Sequence, residues 1–272
     1  GYNANDWFKL IADIQYTSSR NQVTCEPNQH PYIHSMLELC YCQLKPRCKP
    51  GLVMMYCGFN YILISEIIRR LSLKGLNEFA QEHLFSPLKM VNTRFGLTRE
   101  AEKARVTADP KIYHGTGRDP NEFERMAIPH ASGGLISNAF EMAKFCQMFV
   151  NGGYYGGKRI LSKASVNSMT QNQIPDIKTK NRDGLWVRQA SRGNGWAVQS
   201  EERLKYIHGS LMPTKVFHHQ GSFGVGIWGD SANELVGIFL SSIKSYDAKT
   251  DYYEFNLDLF QNMVYSALAD TV

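Results

Sequence analysis

Few residues in this 272-residue chain have types and spacing suited to chemistry. Tyr56 opens the stretch YCGFNYILISEIIRRLSLKGLNEF, at the mouth of an amphipathic helix. A phenol titrates near pH 10 and is a poor base at neutrality, unless a cation in a dry cleft draws that value down. The alternative is an aromatic ring that simply packs at a helix entry. Ser132 in ASGG could present a hydroxyl, but no Gly-x-Ser-x-Gly elbow surrounds it and it reads as a turn. Cys57 could act as a nucleophile beside His219, yet no specific spacing supports that pairing.

Five of the six cysteines (Cys25, Cys40, Cys42, Cys48 and Cys57) cluster, with Cys146 far away. Cys25, His30, His34 and Cys40 or Cys42 could hold zinc, as in a cysteine-rich interaction module. Their spacing matches no standard finger, so reduced thiols or one or two disulfides are expected instead. Cys42 and Cys48, on either side of QLKPR, could staple a loop in an oxidising compartment. No metal or other cofactor is expected.

These residues need elements to position them. Hydrophobic content of 43% supports a substantial core. A net charge of +5, spread over scattered basic residues, offers little for nucleic acid. No apolar run approaches the eighteen residues of a membrane span, and GYNANDWFKLIADIQ lacks the plan of a signal peptide. Nothing in the sequence specifies an oligomer.

A short helix is expected within YIHSMLELCYCQL. From Tyr61, the residues Leu63, Ile64, Ile67, Ile68 and Leu71 follow helical spacing, with Arg69 and Arg70 at the end where cations suit the dipole. LNEFAQEHLF should form a second helix ending at Ser86, because a residue before proline leaves the helical region. Residues 98–130 read as a long polar connection. ASGGLISNAFEMAKFCQMFVNGG predicts a glycine turn, Asn138 as N-cap, a helix and a glycine stop, and KASVNSMTQNQ adds a short helix. GLWVRQA, GNGWAVQS, TKVFHHQ, GSFGVGIWGD and ELVGIFLSS read as adjacent antiparallel strands. A last helix with Leu257, Phe260, Met263, Val264 and Leu268 on one face would cover the sheet. Helices, then strands, then a covering helix give an α+β class: one domain over 1–272, mainly helical to 183 and sheet plus helix over 184–272.

KPGLVMMYCGFNYILISEIIRRLSLKGLNEFAQEHLFSPLKMVNTRF resembles the serine β-lactamase and penicillin-binding protein superfamily, in particular its class C-like esterase and D-alanyl-D-alanine carboxypeptidase branch. ASGGLISNAFEMAKF and HHQGSFGVGIWGD are similar to its Ser-Gly-Gly turn and its His-x-Gly strand, and the likeness runs in order over roughly residues 7 to 270. The resemblance implies an acyl-enzyme mechanism: a serine attacks a carbonyl, a lysine one helical turn later and a tyrosine manage its proton, and a strand amide faces the oxyanion. It assigns the tyrosine to Tyr56 and the strand to His219-Gln220-Gly221. His219 would bond the hydroxyl network or a substrate carboxylate, Gly221 would let substrate backbone approach, and the Ser222 amide would be the oxyanion donor. Gln220 stands where Thr or Ser is usual, which bears on specificity.

Two departures stand out. The family's Tyr-x-Asn reads Tyr56-Cys57-Gly58, so the amide that orients substrate is lost at Gly58. The Ser-x-x-Lys pattern occurs only at Ser86–Lys89 and Ser241–Lys244. The first aligns with the family's Pro-Leu-Gly-Met and the second ends a strand, so both read as chance. IADIQYTSSRNQ, with Tyr16-Thr17-Ser18-Ser19, is similar to a segment that follows the nucleophile helix, which places the expected Ser-x-x-Lys before Gly1. The expectation is therefore a serine hydrolase of esters, amides, peptides or β-lactams, periplasmic or secreted by resemblance, given without its nucleophile and inactive as such. The alternative is a non-catalytic binding or scaffold homologue.

Overall fold

The computed structural model describes residues 25–43, 49–106, 122–180, 186–187, 191–201, 208–221, 225–241 and 252–268. Helix α1 (Pro31–Gln43) precedes β1 (Val53–Met55) and α2 (Phe59–Ser72). After these, α3 (Leu76–Ala80) runs into a π-helical turn (Gln81–Phe85), followed by β2 (Arg94–Phe95), α4 (Arg99–Ala104) and α5 (Glu122–Met126). Next come β3 (Leu135–Ile136), α6 (Ala139–Val150), β4 (Tyr154–Tyr155), β5 (Lys158–Arg159) and α7 (Lys163–Thr170). The chain then forms β6 (Lys178–Lys180), β7 (Trp186–Val187), β8 (Ala197–Val198), β9 (Phe217–Gly221), β10 (Val225–Asp230), β11 (Leu235–Phe239) and α8 (Tyr252–Ser266).

Four strands make the main sheet in the order β11-β10-β9-β8, all antiparallel. The strand in GLWVRQA does not join them. As β7 it pairs with β6, which lies parallel to β1 in a separate three-stranded sheet. Alternation along β9 sends Phe217 and His219 to one face and His218 to the other. On the Phe217 face, α6 crosses β10 and β11, and Phe149, Trp196 and Phe217 form a cluster with ring centroids 4.9–5.8 Å apart. On the opposite face α8 sets Phe260 against Trp228 and Phe239, with Leu257 buried. Met263 and Leu268, expected on that face, are exposed; Gln261 and Tyr265 take the inward places, held by Gly209 N–H and Asp230.

Helix α2 is present, but its buried face is not the expected one. Phe59, Ile62, Ser65, Glu66 and Arg69 face inward, whereas Ile64, Ile67 and Leu71 are exposed. The reason is an ion cluster: Arg69 donates to Glu66 (2.8 and 2.9 Å), Glu26 (2.7 Å) and the Pro27 carbonyl (2.9 Å), so its charge serves a buried network rather than the helix dipole. Burial pushes the Glu66 carboxyl up, but bonds from Arg69, Arg70 and Gln29 outweigh it and hold the group at about 2.

The second helix ends at Ser86 as expected, for another reason. Ser86 keeps helical dihedrals before Pro87 (φ −65, ψ −45), and the turn widens so that its N–H reaches Gln81 O at 2.9 Å. Residues 98–130 are not simply a connection, since α4 starts on a Thr98 cap and α5 follows. Asn138 caps α6 through Glu141 N–H at 3.0 Å, and Gly152 and Gly153 end it with positive φ.

Candidate active site

Pairing of β1 with β6 carries the chain to Tyr56, two residues before the Gly58 that begins α2. Asn60 N–H bonds Cys57 O (3.3 Å) and Tyr61 N–H bonds Gly58 O (3.0 Å), closing the turn. Cys57 takes the inward place, in a cluster with Cys40, Phe59 and Ile62, and Tyr56 is 55% exposed. The expectation of a dry cleft around the phenol is thus corrected, because the residue behind it occupies the buried position. Burial also raises the Cys57 thiol, so it is no thiolate nucleophile at neutral pH.

His219 lies on β9 opposite Ile227 of β10. The strand is not an edge in the strict sense, but β8 pairs only as far as His218, leaving residues 219–221 beyond the end of that ladder. The ring Nδ1 lies 2.7 Å from Gln220 O. A carbonyl can only accept, so Nδ1 carries the proton. Burial and the Arg192 charge push the ring below its ordinary value, against that bond. At neutral pH His219 is therefore an uncharged imidazole with a lone pair on Nε2.

The group that links these two residues is Arg192, which no motif in the sequence marks. Its backbone is tied at three points: Arg192 N–H bonds Asn172 Oδ1 (3.1 Å), Gln173 N–H bonds Arg192 O (2.7 Å), and a bridge joins Arg192 to Ala197. Only glycine fits next to it, since a Cβ on Gly193 would lie 1.9 Å from Met169 O. The half-buried side chain is within electrostatic reach of Tyr56, Tyr61, His208, His218 and His219. The rings of His208 and His218 meet at a tilt of 56° with centroids 3.7 Å apart, and the Nδ1 of each is buried without a hydrogen-bond partner. Burial first and then Arg192 hold His208 at about 4, and His218 is pushed well down by burial, His208 and Arg192. The only sequence signal for Arg192 is its place before the Gly193-Asn194-Gly195 turn.

The remaining expected residues divide. Gly58 adopts φ −62, ψ −27, which any residue can take, so the backbone does not demand glycine there. Gln220 and Gly221 complete β9, and a Cβ on Gly221 would make only ordinary contact with Val225 at 3.5 Å. Ser222 lies outside the described residues. Ser86 and Lys89 are both exposed, Lys89 has φ 55, and they sit in a turn rather than at the start of a buried helix. Lys244 lies outside the described residues. Ser132 Oγ is 3.1 Å from His130 Nδ1 within a turn. Of the zinc candidates, His34 bonds Gln29 (2.8 Å) and approaches Glu38 (3.4 Å), while Cys40 is buried in the α1–α2 core, its thiol raised to about 12 by burial and by Cys57. Cys40, Cys42, Cys57 and Cys146 are free thiols, Cys25 is half-buried, and Cys48 lies outside the described residues. Among the described residues no three His, Cys, Asp or Glu side chains converge as a metal site.

A helical layer on an antiparallel sheet, with a tyrosine at a helix mouth and a His-x-Gly strand, is the arrangement of the serine β-lactamase and penicillin-binding protein fold. The sequence matches the Beta-lactamase family over residues 27–258, and the chain belongs to that family. Among its relatives is an Escherichia coli K12 protein provisionally named a D-alanyl-D-alanine carboxypeptidase, 23% identical over 71% of this chain and 46% of its own length. The chain thus spans about half the length of the curated relatives it matches. The D-amino acid amidase of Ochrobactrum anthropi SV3, solved with D-phenylalanine, superposes with a TM-score of 0.62 at 16% identity, covering 93% of this chain and 68% of that one. A β-lactamase/D-alanine carboxypeptidase of Yersinia pestis, solved with citrate, gives 0.59 at 18% identity over 91% of this chain and 64% of its own. At such identities the structural likeness is one of fold. No helix among the described residues is long and apolar enough to cross a membrane.

Proposed function

We propose that the whole protein is an acyl-enzyme serine hydrolase of esters, amides, peptides or β-lactams, and that these 272 residues carry its proton-handling and substrate-binding side. The observation that carries this reading is the match to the Beta-lactamase family over residues 27–258, with Tyr56 at the mouth of α2 and His219-Gln220-Gly221 on β9 in the family's order. In this reading a serine and lysine supplied by residues outside those given complete the site. The serine Oγ bonds to the acyl carbon, and its proton passes through the lysine amine and the Tyr56 oxygen to the leaving group as the acyl bond breaks. Water then repeats the cycle in reverse and frees the acid. The neutral His219 accepts a hydrogen bond at Nε2, and Gly221 at the end of β9 offers backbone to the substrate.

The test is labelling by a fluorescent penicillin. The longest natural protein containing these residues should form a covalent adduct at a serine in a Ser-x-x-Lys sequence, and the 272 residues alone should form none. An adduct on the 272 residues alone would show that their own nucleophile had been overlooked. One observation favours a second reading, a non-catalytic homologue: Gly58 stands where the family's asparagine stands, although the backbone there accommodates any residue. A long protein without Ser-x-x-Lys and without labelling would establish it.

A further inference from the structure

The turn after the π-helical segment is pinned by Lys89 N–H to Ser86 O (3.0 Å) and Met90 N–H to Phe85 O (2.8 Å), and its side chains alternate. Leu88 and Met90 are buried, while Lys89 and Val91 are exposed, Val91 to 82%. The next residue, Asn92, donates its N–H to the Glu141 carboxylate at 3.0 Å, which sets Val91 beside the first turn of α6. There Phe140 is 85% exposed. Lys144 lies one helical turn further along the Phe140 face and donates to Lys89 O at 2.6 Å. Two bare apolar side chains and two ammonium groups therefore share one patch, drawn from segments about fifty residues apart.

A single exposed apolar residue is ordinary, but here two from separate segments meet on a fixed base. Glu141, the only acidic residue of α6, is buried beneath them and also accepts the Thr93 hydroxyl, and Asn138 caps the helix. Two apolar side chains fall well short of the roughly 800 Å² per side that a stable protein interface buries. An aromatic ring among lysines suits a bilayer surface, where apolar groups enter the boundary of the acyl chains and ammonium groups meet anionic headgroups. We propose that Lys89, Val91, Phe140 and Lys144 form a peripheral docking surface for an anionic lipid bilayer, with Phe140 inserted at headgroup level. Such contact needs no spanning helix, and it is independent of the roles given to Tyr56 and His219.

Co-sedimentation of the full chain with vesicles at pH 7 and low salt tests this. Binding should be at least about tenfold tighter to phosphatidylcholine vesicles containing about 30% phosphatidylglycerol than to phosphatidylcholine alone. Salt at about 0.5 M should remove most of that preference. Phe140→Ser should weaken binding to the anionic vesicles about tenfold or more. Lys89→Gln combined with Lys144→Gln should do about as much, since each lysine near such a surface is worth about fivefold. Ile67→Ser, which removes an exposed apolar side chain of α2, should leave binding unchanged. Equal binding to the two lipids, undetectable binding, or undiminished binding by either patch variant would overturn the proposal. So would a loss in Ile67→Ser as large as that in Phe140→Ser, which would mark general adhesion. A dimer in analytical ultracentrifugation that Phe140→Ser abolishes, without vesicle binding, would give the patch to a second copy and overturn it too. Should one patch variant fail to fold by circular dichroism, the other decides.

Discussion

Glu141 and Arg192 are both charged side chains drawn in from solvent, and the fold surrounds them in opposite ways. The Glu141 carboxylate accepts Asn92 N–H and Nδ2 at 3.0 Å and the Thr93 hydroxyl at 2.5 Å, while Asn138 bonds its own N–H. These bonds outweigh its burial and hold its carboxyl below the usual range. No buried side-chain polar atom of Asn92, Thr93, Ser137 or Glu141 is left unpaired, and the arrangement ties the NT of PLKMVNT to the start of α6. Around Arg192 the reverse holds. The cation lacks a counter-charge among the described residues, two imidazole nitrogens are buried without partners, and the phenol of Tyr56 faces solvent. The first region is saturated and works as structure. The second keeps unfilled polar capacity, which a bound ligand would complete.

Substitutions should separate the two regions most sharply. Glu141→Ala takes the acceptor from an Asn92 N–H and one of two partners from the fully buried Thr93 hydroxyl, which keeps Ser137 Oγ at 2.7 Å, and should cost about 1–3 kcal/mol in urea unfolding. Arg192→Gln should change stability by no more than about 0.5 kcal/mol. Equal losses would erase the distinction. Glycines of the same sheet give a smaller contrast. An added Cβ at Gly237 meets the Trp228 ring at 2.0 Å, so Gly237→Ala should cost about 1–3 kcal/mol. Gly221→Ala has room and should stay within about 0.5 kcal/mol while weakening ligand binding.

Acid titration should lose stability in two steps. His208, His218 and His219 lie below the ordinary 6.5 in the fold, with His208 at about 4. The unfolded chain therefore binds more protons as pH falls, and stability held above pH 6.5 is lost on the way down to about 4. Glu66 and Glu141 lie below the ordinary 4.5, so their contribution, full above that pH, is lost as pH falls toward about 2. Replacing His208 and His218 by Gln should shrink the upper step of a melting-temperature profile to the part left by His219 and leave the lower step unchanged. The smallest effect belongs to α2. Ile67→Ser should stay within about 0.5 kcal/mol, whereas a loss above about 2 kcal/mol would mean that the apolar stripe is buried after all.

The order of elements was legible because the segments that make it are local: Asn138 before an apolar helix, glycines after it, and β-branched runs between turns. The face of α2 was not, because its inward side is chosen by Arg69 reaching Glu26 and Pro27, residues far away in sequence. Helical spacing alone favoured Ile64 and Ile67. Likewise GLWVRQA looked like a neighbour of the other strands, yet β7 is claimed by β6, since strand pairing is a long-range choice. In the candidate site, Tyr56, Gly58 and His219-Gln220-Gly221 could be named because each sits in a short string that resembles the family. Arg192 sits in none. Its importance comes from a loop that brings it between two elements, and that arrangement exists only after folding.

The central claim, that Tyr56 and the His219-Gln220-Gly221 strand belong to an acyl-transfer site, is tested most directly by Tyr56→Phe in the longest natural protein that contains this chain. Its rate of acylation by a fluorescent penicillin should fall by about 100-fold or more, with an unchanged melting temperature, because a solvent-facing hydroxyl is lost from a ring that stays in place. Labelling at the unmodified rate would contradict the claim and leave Tyr56 as an aromatic at a helix mouth.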